Sequence, residues 1–236
     1  MKKFSYTDML AYLGISSAHP GGLMLSKSIL ENEKINQKSN ILDIGCGTGQ
    51  TSAYLASKYN CTVTALDCHS TMIKKAKKRF VRENLKVKLI NGTAEELPFK
   101  EEAFDYIIAE SVIAFTDLNL SLPNIFTVLK REGQFISIEL VAEDMLKREE
   151  KEEIKNLYGL KNILLENEWK KQLTNQRFST VVIEKDNNQN GYNIAAEKHD
   201  PSDHIYPELF QIFEAHAKLL QKYKGRLGYR IFRCTK

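Results

Sequence analysis

The stretch Ile41-Leu42-Asp43-Ile44-Gly45-Cys46-Gly47-Thr48-Gly49-Gln50 decides the fold of this chain of 236 residues. Its first residues are apolar, as in a buried strand, and three glycines then occupy every second position. Glycine permits a tight turn and lets a ligand approach the backbone where any Cβ would collide. Residues 51–58 follow a helical pattern, so the first amides of that helix face the same ligand. This order predicts a nucleotide-type binding site, although a structural turn would explain the glycines alone.

An acidic residue supports the binding interpretation. Asp67 ends the second predicted strand, about 20 residues after the glycine loop, where a carboxylate reaches the ribose hydroxyls of a nucleotide-type cofactor. The dinucleotide fingerprint requires glycine at position 50, where this chain has Gln50. Asp43 lies inside the strand, and its carboxylate suits a cation better than a pyrophosphate. S-adenosylmethionine carries a sulfonium and an ammonium and no phosphate, so the electrostatics favour it over NAD.

Strands and helices alternate through residues 39–140. Strands are predicted over residues 40–44, 62–66, 87–90, 104–109 and 134–140. Helices are predicted over residues 51–58, 71–83 (capped by Ser70) and 118–129. Short connections between alternating elements indicate a parallel sheet covered on both faces, a doubly wound α/β fold.

The pattern changes after residue 140. Residues 142–158 are rich in charge and predict an exposed helix or lid. Further helices are predicted over 166–176 and 207–224, strands over 179–184 and 228–234, and a polar, mobile loop over 186–202. We expect a single domain, 1–236, made of an N-terminal helical lid (1–34), a cofactor-binding core (35–140), and cap insertions with closing strands (141–236).

Composition excludes several classes of protein. Hydrophobic residues make up 42% and charged residues 27%, as in ordinary globular proteins, and no apolar run is long enough to suggest a membrane span. The basic first residues have no apolar core behind them, so we expect a cytoplasmic protein. A net charge of +4 makes nucleic acid an unlikely partner. The four cysteines form no CxxC pair, which predicts reduced thiols and no metal site.

With these motifs in place, the chain resembles a class I S-adenosylmethionine-dependent methyltransferase of the small-molecule-modifying type over most of residues 35–185. Residues 41–49 match the family's first motif, whose loop wraps the methionine part of the cofactor, and residues 63–67 match the second, with Asp67 on the ribose. Cys68, His69 and Met72 occupy positions that flank the adenine in the family. The resemblance implies a Rossmann-like sheet of seven strands, mostly parallel, with the last antiparallel to the others.

Two further segments resemble the family with departures. Residues 91–99 match the segment that grips the adenine edge, with Thr93 where aspartate is usual, so the Thr93 hydroxyl, Glu95 or a water would hold the adenine amine while the Ala94 amide serves the ring. Residues 104–115 match the motif beside the transferring methyl. The implied cofactor-binding residues are Asp43, Gly45, Cys46, Gly47, Gly49, Asp67, Cys68, Met72, Thr93, Ala94, Glu95 and Glu110.

Candidate catalytic residues lie near the end of the fourth strand and in the N-terminal segment. Glu110 follows the fourth strand, near the cofactor's amino group or the acceptor, unless it is a partly solvated loop carboxylate. His19, in the segment 17–22, could act as a base or could be a solvent-facing histidine in a Pro-Gly turn. Glu139, inside the fifth strand, is a weaker candidate that could instead point into a helix–sheet layer. Four aromatic residues could wall an apolar pocket or simply pack: Tyr6, Tyr12, Tyr158 and Trp169.

These observations predict in-line transfer of a methyl group from S-adenosylmethionine to a small organic acceptor, leaving S-adenosylhomocysteine. Two alternatives stay open, an RNA methyltransferase, suggested by the basic C-terminus, and a non-catalytic cofactor-binding protein. The Asn/Asp-Pro-Pro-aromatic signature of adenine- and glutamine-modifying enzymes is absent, because residues 109–112 read Ala-Glu-Ser-Val. The acceptor, the atom methylated and the oligomeric state are open at this point.

Overall fold

The computed structural model describes residues 3–16, 18–185 and 199–236. The helices are α1 (Tyr6–Leu13), α2 (Gly22–Glu31), α3 (Gln50–Tyr59), α4 (Ser70–Arg82), α5 (Leu118–Val128), α6 (Arg148–Tyr158), α7 (Glu166–Asn175) and α8 (Pro207–Lys222). The strands are β1 (Asn40–Ile44), β2 (Thr62–Asp67), β3 (Val87–Asn91), β4 (Phe104–Glu110), β5 (Leu129–Ala142), β6 (Leu164–Leu165), β7 (Thr180–Glu184) and β8 (Leu227–Thr235).

Seven of these strands form one continuous sheet in the order β3-β2-β1-β4-β5-β8-β7. The pairs from β3 to β5 are parallel, and β8 runs antiparallel to both β5 and β7. The predicted Rossmann-like sheet of seven strands with the last antiparallel is therefore confirmed. The two-residue strand β6, which pairs with the end of β5, was not predicted.

Side chains alternate between two covered faces of the sheet. On the first face, Ile41, Val63 and Ile108 pack with Leu30 of α2 and Leu55 of α3. The opposite face forms a larger core, in which Leu42, Ile107 and Phe135 pack with residues of α5 and α7. Because the parallel strands β1, β2 and β4 end at the same edge, the residues that close them are brought together there.

Local sequence explains where two of the helices begin. At the start of α1, the Ser5 amide donates to the Asp8 carboxylate at 2.8 Å and the Asp8 amide donates to the Ser5 hydroxyl at 3.0 Å, which forms a capping box. The predicted Ser70 cap of α4 is wrong by one residue: His69 caps the helix, because its ring nitrogen accepts a hydrogen bond from the Thr71 amide at 3.2 Å. The imidazole thus satisfies a helix amide that a serine hydroxyl was expected to satisfy.

Two boundaries differ from the predictions. β5 begins at Leu129, before the Gly133 turn, because Leu129 pairs with Phe104 at the start of β4, ahead of a register shift. The helix expected from residue 142 begins only at Arg148. Most of the polar loop predicted over 186–202 lies outside the described residues, which resume at His199.

No helix in the described ranges is long and apolar enough to cross a membrane.

Candidate functional site

The loop between β1 and α3 depends on three glycines with left-handed backbone. A Cβ on Gly45 would lie 2.3 Å from Val112, and one on Gly49 would lie 2.6 Å from the Phe80 ring, so both positions are closed to any larger residue. Gly47, at φ 55°, has no atom within 4 Å of its Cβ position. The loop is therefore packed against protein at its two ends and open at its centre, where a ligand can reach the backbone.

Asp67 joins the end of β2 to the open centre of this loop. Its Oδ2 accepts a hydrogen bond from the Gly47 amide at 2.8 Å, and its Oδ1 accepts one from the His69 amide at 2.7 Å. Burial raises the pKa of this carboxyl, and the two amide hydrogen bonds counteract the effect. The spacing of about 20 residues in sequence thus becomes direct contact in the structure.

Three carboxylates lie at the ends of the adjacent strands β1, β2 and β4, on the face covered by α2 and α3: Asp67 and Glu110 are the last residues of β2 and β4, and Asp43 is the last but one of β1. We call them the carboxylate trio. The Asp43 carboxylate accepts a hydrogen bond from the Ser52 hydroxyl, and Glu110 Oε2 accepts one from Thr51 Oγ1 at 2.7 Å. Burial, followed by the charge of Glu110, raises the pKa of Asp43 to about 7. Mutual repulsion in the trio favours a cationic ligand.

His19 lies directly against the trio. Its ring is 3% exposed, with Nε2 at 3.4 Å from Glu110 Oε2 and at 3.2 Å from Ser26 Oγ. Nδ1 lies 3.1 Å from the Pro20 carbonyl oxygen. The alternative of a solvent-facing histidine is therefore wrong. Glu110 lies at the end of β4 and not in a loop, and its side chain keeps an exposed fraction of 11%. The structure brings the two candidate catalytic residues together.

The N-terminal segment covers the glycine loop through contacts that the sequence did not reveal. Ser16 Oγ lies 2.8 Å from Thr48 Oγ1 in a buried hydrogen bond. Asp8 of α1 lies 3.2 Å from the His69 imidazole, beside Asp67. From the opposite side, Arg79 Nε donates to the Thr48 carbonyl at 2.9 Å. The sequence carries no signal for these three contacts. For the partners of the trio, the only sequence signal is the pair of hydroxyl residues Thr51 and Ser52 in the first turn of α3.

The other residues assigned to the cofactor differ in their exposure to solvent. Cys46, Met72 and Ala94 are buried, whereas Cys68 and Thr93 are exposed. Burial raises the pKa of the Cys46 thiol, and partial desolvation followed by the charge of Asp67 raises that of Cys68, so neither is a reactive thiolate near neutral pH. The buried side chains suit an apolar wall, and the two exposed ones are available to a ligand from solvent.

Glu95 has partners that the sequence did not predict. Its Oε1 accepts hydrogen bonds from Lys161 Nζ at 2.7 Å and from the Asp117 amide at 2.6 Å. The hydrogen bond from Lys161 holds the pKa of Glu95 below its usual range. This carboxylate therefore fastens the start of α5 to the segment after α6, and its predicted contact with adenine stays a prediction.

The four candidate aromatic residues pack in different places. Trp169 is buried, with its indole N–H donating to the Leu140 carbonyl at 3.0 Å, so it belongs to the core. In the cap, the Tyr158 hydroxyl lies 2.9 Å from Nδ1 of His216, and the Tyr6 ring meets the Tyr158 ring edge-on at 4.7 Å. Tyr12 packs edge-on against Tyr206 at 5.6 Å. Burial lowers the pKa of His216 to about 4, so this imidazole is neutral in the cap.

The residues present fit S-adenosylmethionine better than a dinucleotide. The trio offers negative charge to the sulfonium and ammonium groups, and it would repel a pyrophosphate. The open centre of the glycine loop lies beside Asp67, which is still 8% exposed and has lone pairs left to accept from hydroxyl groups. The negative charge of the trio and the open space at Gly47 are therefore what favour S-adenosylmethionine.

Comparisons with known proteins agree with this geometry. The family described as "Methyltransferase domain" matches residues 41–133. The chain is 35% identical to the "Uncharacterized methyltransferase YodH" of Bacillus subtilis over 96% of this chain and 97% of that one. It is 38% identical to the "Ubiquinone/menaquinone biosynthesis C-methyltransferase UbiE" of Rickettsia bellii over 44% of this chain and 45% of the relative.

A solved structure shows the same fold. "Phosphoethanolamine N-methyltransferase 2" of Haemonchus contortus, in complex with S-adenosyl-L-methionine, superimposes with a TM-score of 0.75 at 20% identity, covering 98% of this chain and 57% of that one. At this identity the likeness establishes the fold. The full-length similarity to the Bacillus protein shows the methyltransferase family.

Proposed function

The chain belongs to the class I S-adenosylmethionine-dependent methyltransferases, and we propose that its carboxylate trio and glycine loop hold the cofactor while His19 and Glu110 face a small organic acceptor. The observation that carries this proposal is the trio itself, three carboxylates from neighbouring strands on one face of the sheet. S-adenosylmethionine, when bound, supplies a methyl group activated by the sulfonium.

Each residue of the site then has a separate role. The loop 45–49 lies along the methionine part of the cofactor, and Asp67 accepts hydrogen bonds from the ribose hydroxyls. Asp43 and Glu110 balance the positive charges. Thr51 holds Glu110 in place through the 2.7 Å hydrogen bond. Since the cofactor is already activated, most of the rate enhancement comes from holding the acceptor in line, for which ~7–11 kcal/mol is available.

His19 takes the proton of an acceptor that carries one. Nδ1 faces the Pro20 carbonyl and Nε2 faces Glu110 and Ser26, so an imidazole that gains a proton has an oxygen acceptor at each nitrogen. Its burial against α2 excludes bulk water from this step. An alcohol or phenol needs such a base, whereas an amine with a free lone pair does not.

Support for the class of acceptor comes from the carboxylate trio and from the relatives. A void between α2 and the sheet, enclosed by Glu110, Ser26 and the aliphatic side chains of Ile29, Leu30, Ile108, Ile136 and Ile138, has room for a single water and is too small for an acceptor. The negative charge of the trio suits a neutral or cationic molecule and disfavours a polyanion such as RNA. The names of the Rickettsia and Haemonchus relatives also point to small-molecule acceptors. The cytoplasmic location and the division into lid, core and cap stay predictions.

Calorimetric titration tests the cofactor assignment. We expect wild-type protein to bind S-adenosylmethionine and S-adenosylhomocysteine and to ignore NAD. Asp67→Ala weakens binding by ~1.5–3 kcal/mol, because it removes a hydrogen-bonded carboxylate. Asp105→Ala is the matched control, since Asp105 accepts hydrogen bonds from the Asn40 amide at 2.8 Å and from Lys130 at 2.9 Å at the opposite end of β4. Equal losses in the two variants, or binding of NAD alone, would overturn the assignment.

Transfer to an acceptor is tested separately, with labelled S-adenosylmethionine and a library of phenols, alcohols, amines and quinols. Labelled product from a small molecule supports the proposal. Bound cofactor without transfer to any compound favours the non-catalytic alternative. Binding of RNA that weakens steeply with salt favours the RNA methyltransferase.

A further inference from the structure

A further buried carboxylate lies close to the site but on the other face of the sheet. Glu139 of β5 is completely buried among the residues of the larger core. Its Oε1 accepts hydrogen bonds from the amides of Val112 at 3.3 Å and Ile113 at 3.0 Å, and its Oε2 accepts one from the amide of Ala114 at 3.1 Å. All three donors belong to the segment that directly follows Glu110.

This arrangement is unusual for a buried acidic residue. Within the described part of the chain, no Lys, Arg or His side chain lies within ion-pair distance of Glu139. Arg230, opposite Glu139 in β8, pairs instead with Glu143 and Glu166. The three backbone amides are therefore what compensates the buried charge.

The segment that Glu139 holds carries residues of the cofactor site. Ser111, at φ 56°, has the left-handed backbone that residues other than glycine seldom adopt, and its amide donates to the Ile138 carbonyl at 2.7 Å. This turn places Val112 against the α-carbon of Gly45 in the cofactor loop. The residue before the turn is Glu110, so any shift of the segment moves both Glu110 and the wall of the loop.

The cap contacts the same segment from outside the sheet. The amides of Lys161 and Asn162 both donate to the Ala114 carbonyl at 3.0 Å, and the Asn162 side chain donates to the Thr116 carbonyl at 2.8 Å. Glu139 binds the amides of the segment, and the residues after α6 bind its carbonyls. The segment is thus fixed on both sides although it forms only a single 3-10 turn, Ile113–Phe115.

We propose that Glu139 is a positioning residue for the cofactor site: by binding the amides of residues 112–114 it fixes the turn that sets Glu110 and Val112 against the glycine loop. This proposal rests on the proposed function, because it assumes that Glu110 and the loop hold S-adenosylmethionine. Glu139 touches neither cofactor nor acceptor, and it acts only through the backbone that follows β4.

Glu139→Gln is the most direct test, since glutamine keeps the shape of the side chain. Its amide oxygen accepts hydrogen bonds, but its NH₂ group cannot accept one, so at least one of the three backbone amides loses its partner. We expect S-adenosylmethionine to bind about tenfold more weakly. Hydrogen exchange measured by mass spectrometry should accelerate at residues 112–114.

A double-mutant cycle separates positioning from a general loss of stability. Glu110→Gln alone is expected to weaken S-adenosylmethionine binding about tenfold. If Glu139 acts through Glu110, the double variant binds only about tenfold to twentyfold more weakly than wild type, instead of the roughly hundredfold expected for independent effects. Val141→Ala, a buried truncation two residues further along β5, is the control that lowers stability without changing affinity or exchange at 112–114.

The possible outcomes are distinct. Unchanged affinity in Glu139→Gln, a hundredfold loss in the double variant, or an equal loss in Val141→Ala overturns the proposal while the cofactor assignment stands. Failure of wild-type protein to bind S-adenosylmethionine instead overturns the proposed function. If Glu139→Gln does not fold, Glu139→Asp replaces it in the cycle. The affinity of its double variant with Glu110→Gln is then compared with the sum of the two single effects in the same way.

Discussion

Asp43 in β1 and Glu139 in β5 are both carboxylates buried in the same sheet, and burial raises the pKa of each to about 7. Their other neighbours act in opposite directions. The charge of Glu110 raises the pKa of Asp43 further, whereas the amides of residues 112–114 lower that of Glu139. Asp43, which like charges repel, is stabilised in its charged form by a cationic ligand, whereas the amide donors already compensate the charge of Glu139.

Substitutions of Glu139 and Asp43 should differ most in how they change the free energy of unfolding. Glu139→Ala should lower the free energy of unfolding by about 4 kcal/mol, because three buried amide donors lose their acceptor. Asp43→Asn should not lower the stability of the unliganded protein, because it removes repulsion within the trio. Urea denaturation without ligand measures both changes, and equal losses would remove the distinction between the two carboxylates.

The pH dependence of stability sharpens the same comparison. Between about pH 4 and pH 7 the folded protein keeps protons on Asp43 and Glu139 that the unfolded chain has released, because both pKa values are raised on folding. The contribution of these two groups to stability therefore falls as pH rises through this window and levels off above it, with on the order of 3 kcal/mol from Asp43. Carboxyls such as Asp8 and Glu143, whose pKa values are lowered on folding, contribute in the opposite direction, so the comparison with a variant isolates Asp43. In urea denaturation at pH 5 and pH 7.5, Asp43→Asn should gain on the order of 3 kcal/mol relative to wild type as the pH rises.

The binding of S-adenosylmethionine should depend on the protonation of Asp43 and not on that of Glu139. A cationic cofactor favours the charged form of Asp43, so the affinity for S-adenosylmethionine should rise between pH 5 and pH 7 and should rise less in Asp43→Asn. Calorimetry across this range measures the slope. The same dependence of affinity on pH in wild type and variant would mean that the charge of Asp43 does not contribute to binding.

The smallest effect is expected at Glu95, which the sequence assigned to the cofactor and the structure pairs with Lys161. Glu95→Gln should change stability by less than about 1 kcal/mol, because the pair is largely exposed. It should change S-adenosylmethionine affinity less than twofold, and Lys161→Met should behave alike. A large loss of affinity confined to Glu95→Gln would support the predicted contact with adenine.

Local pattern predicted most of the fold and the centre of the site. Strand–helix alternation located the core strands to within a residue or two at most ends, and the spacing between the glycine loop and Asp67 became the hydrogen bond to the Gly47 amide. The His69 cap and the early start of β5 were missed. The cap depends on which of two adjacent polar side chains reaches the helix amides, and the strand start depends on the pairing of Leu129 with Phe104 of β4.

The sequence by itself determined a doubly wound sheet, a glycine loop and an acidic residue beside it, because periodicity and glycine content act over a few neighbouring residues. Only the tertiary structure decided which carboxylates face an open site and which are bound by amides. It placed His19 against Glu110, drew Glu95 to Lys161, and set Glu139 beneath the turn after β4. These partners come from elements far apart in the chain, and packing between helices and sheet selects them, because every buried polar group needs a partner wherever the fold can supply one.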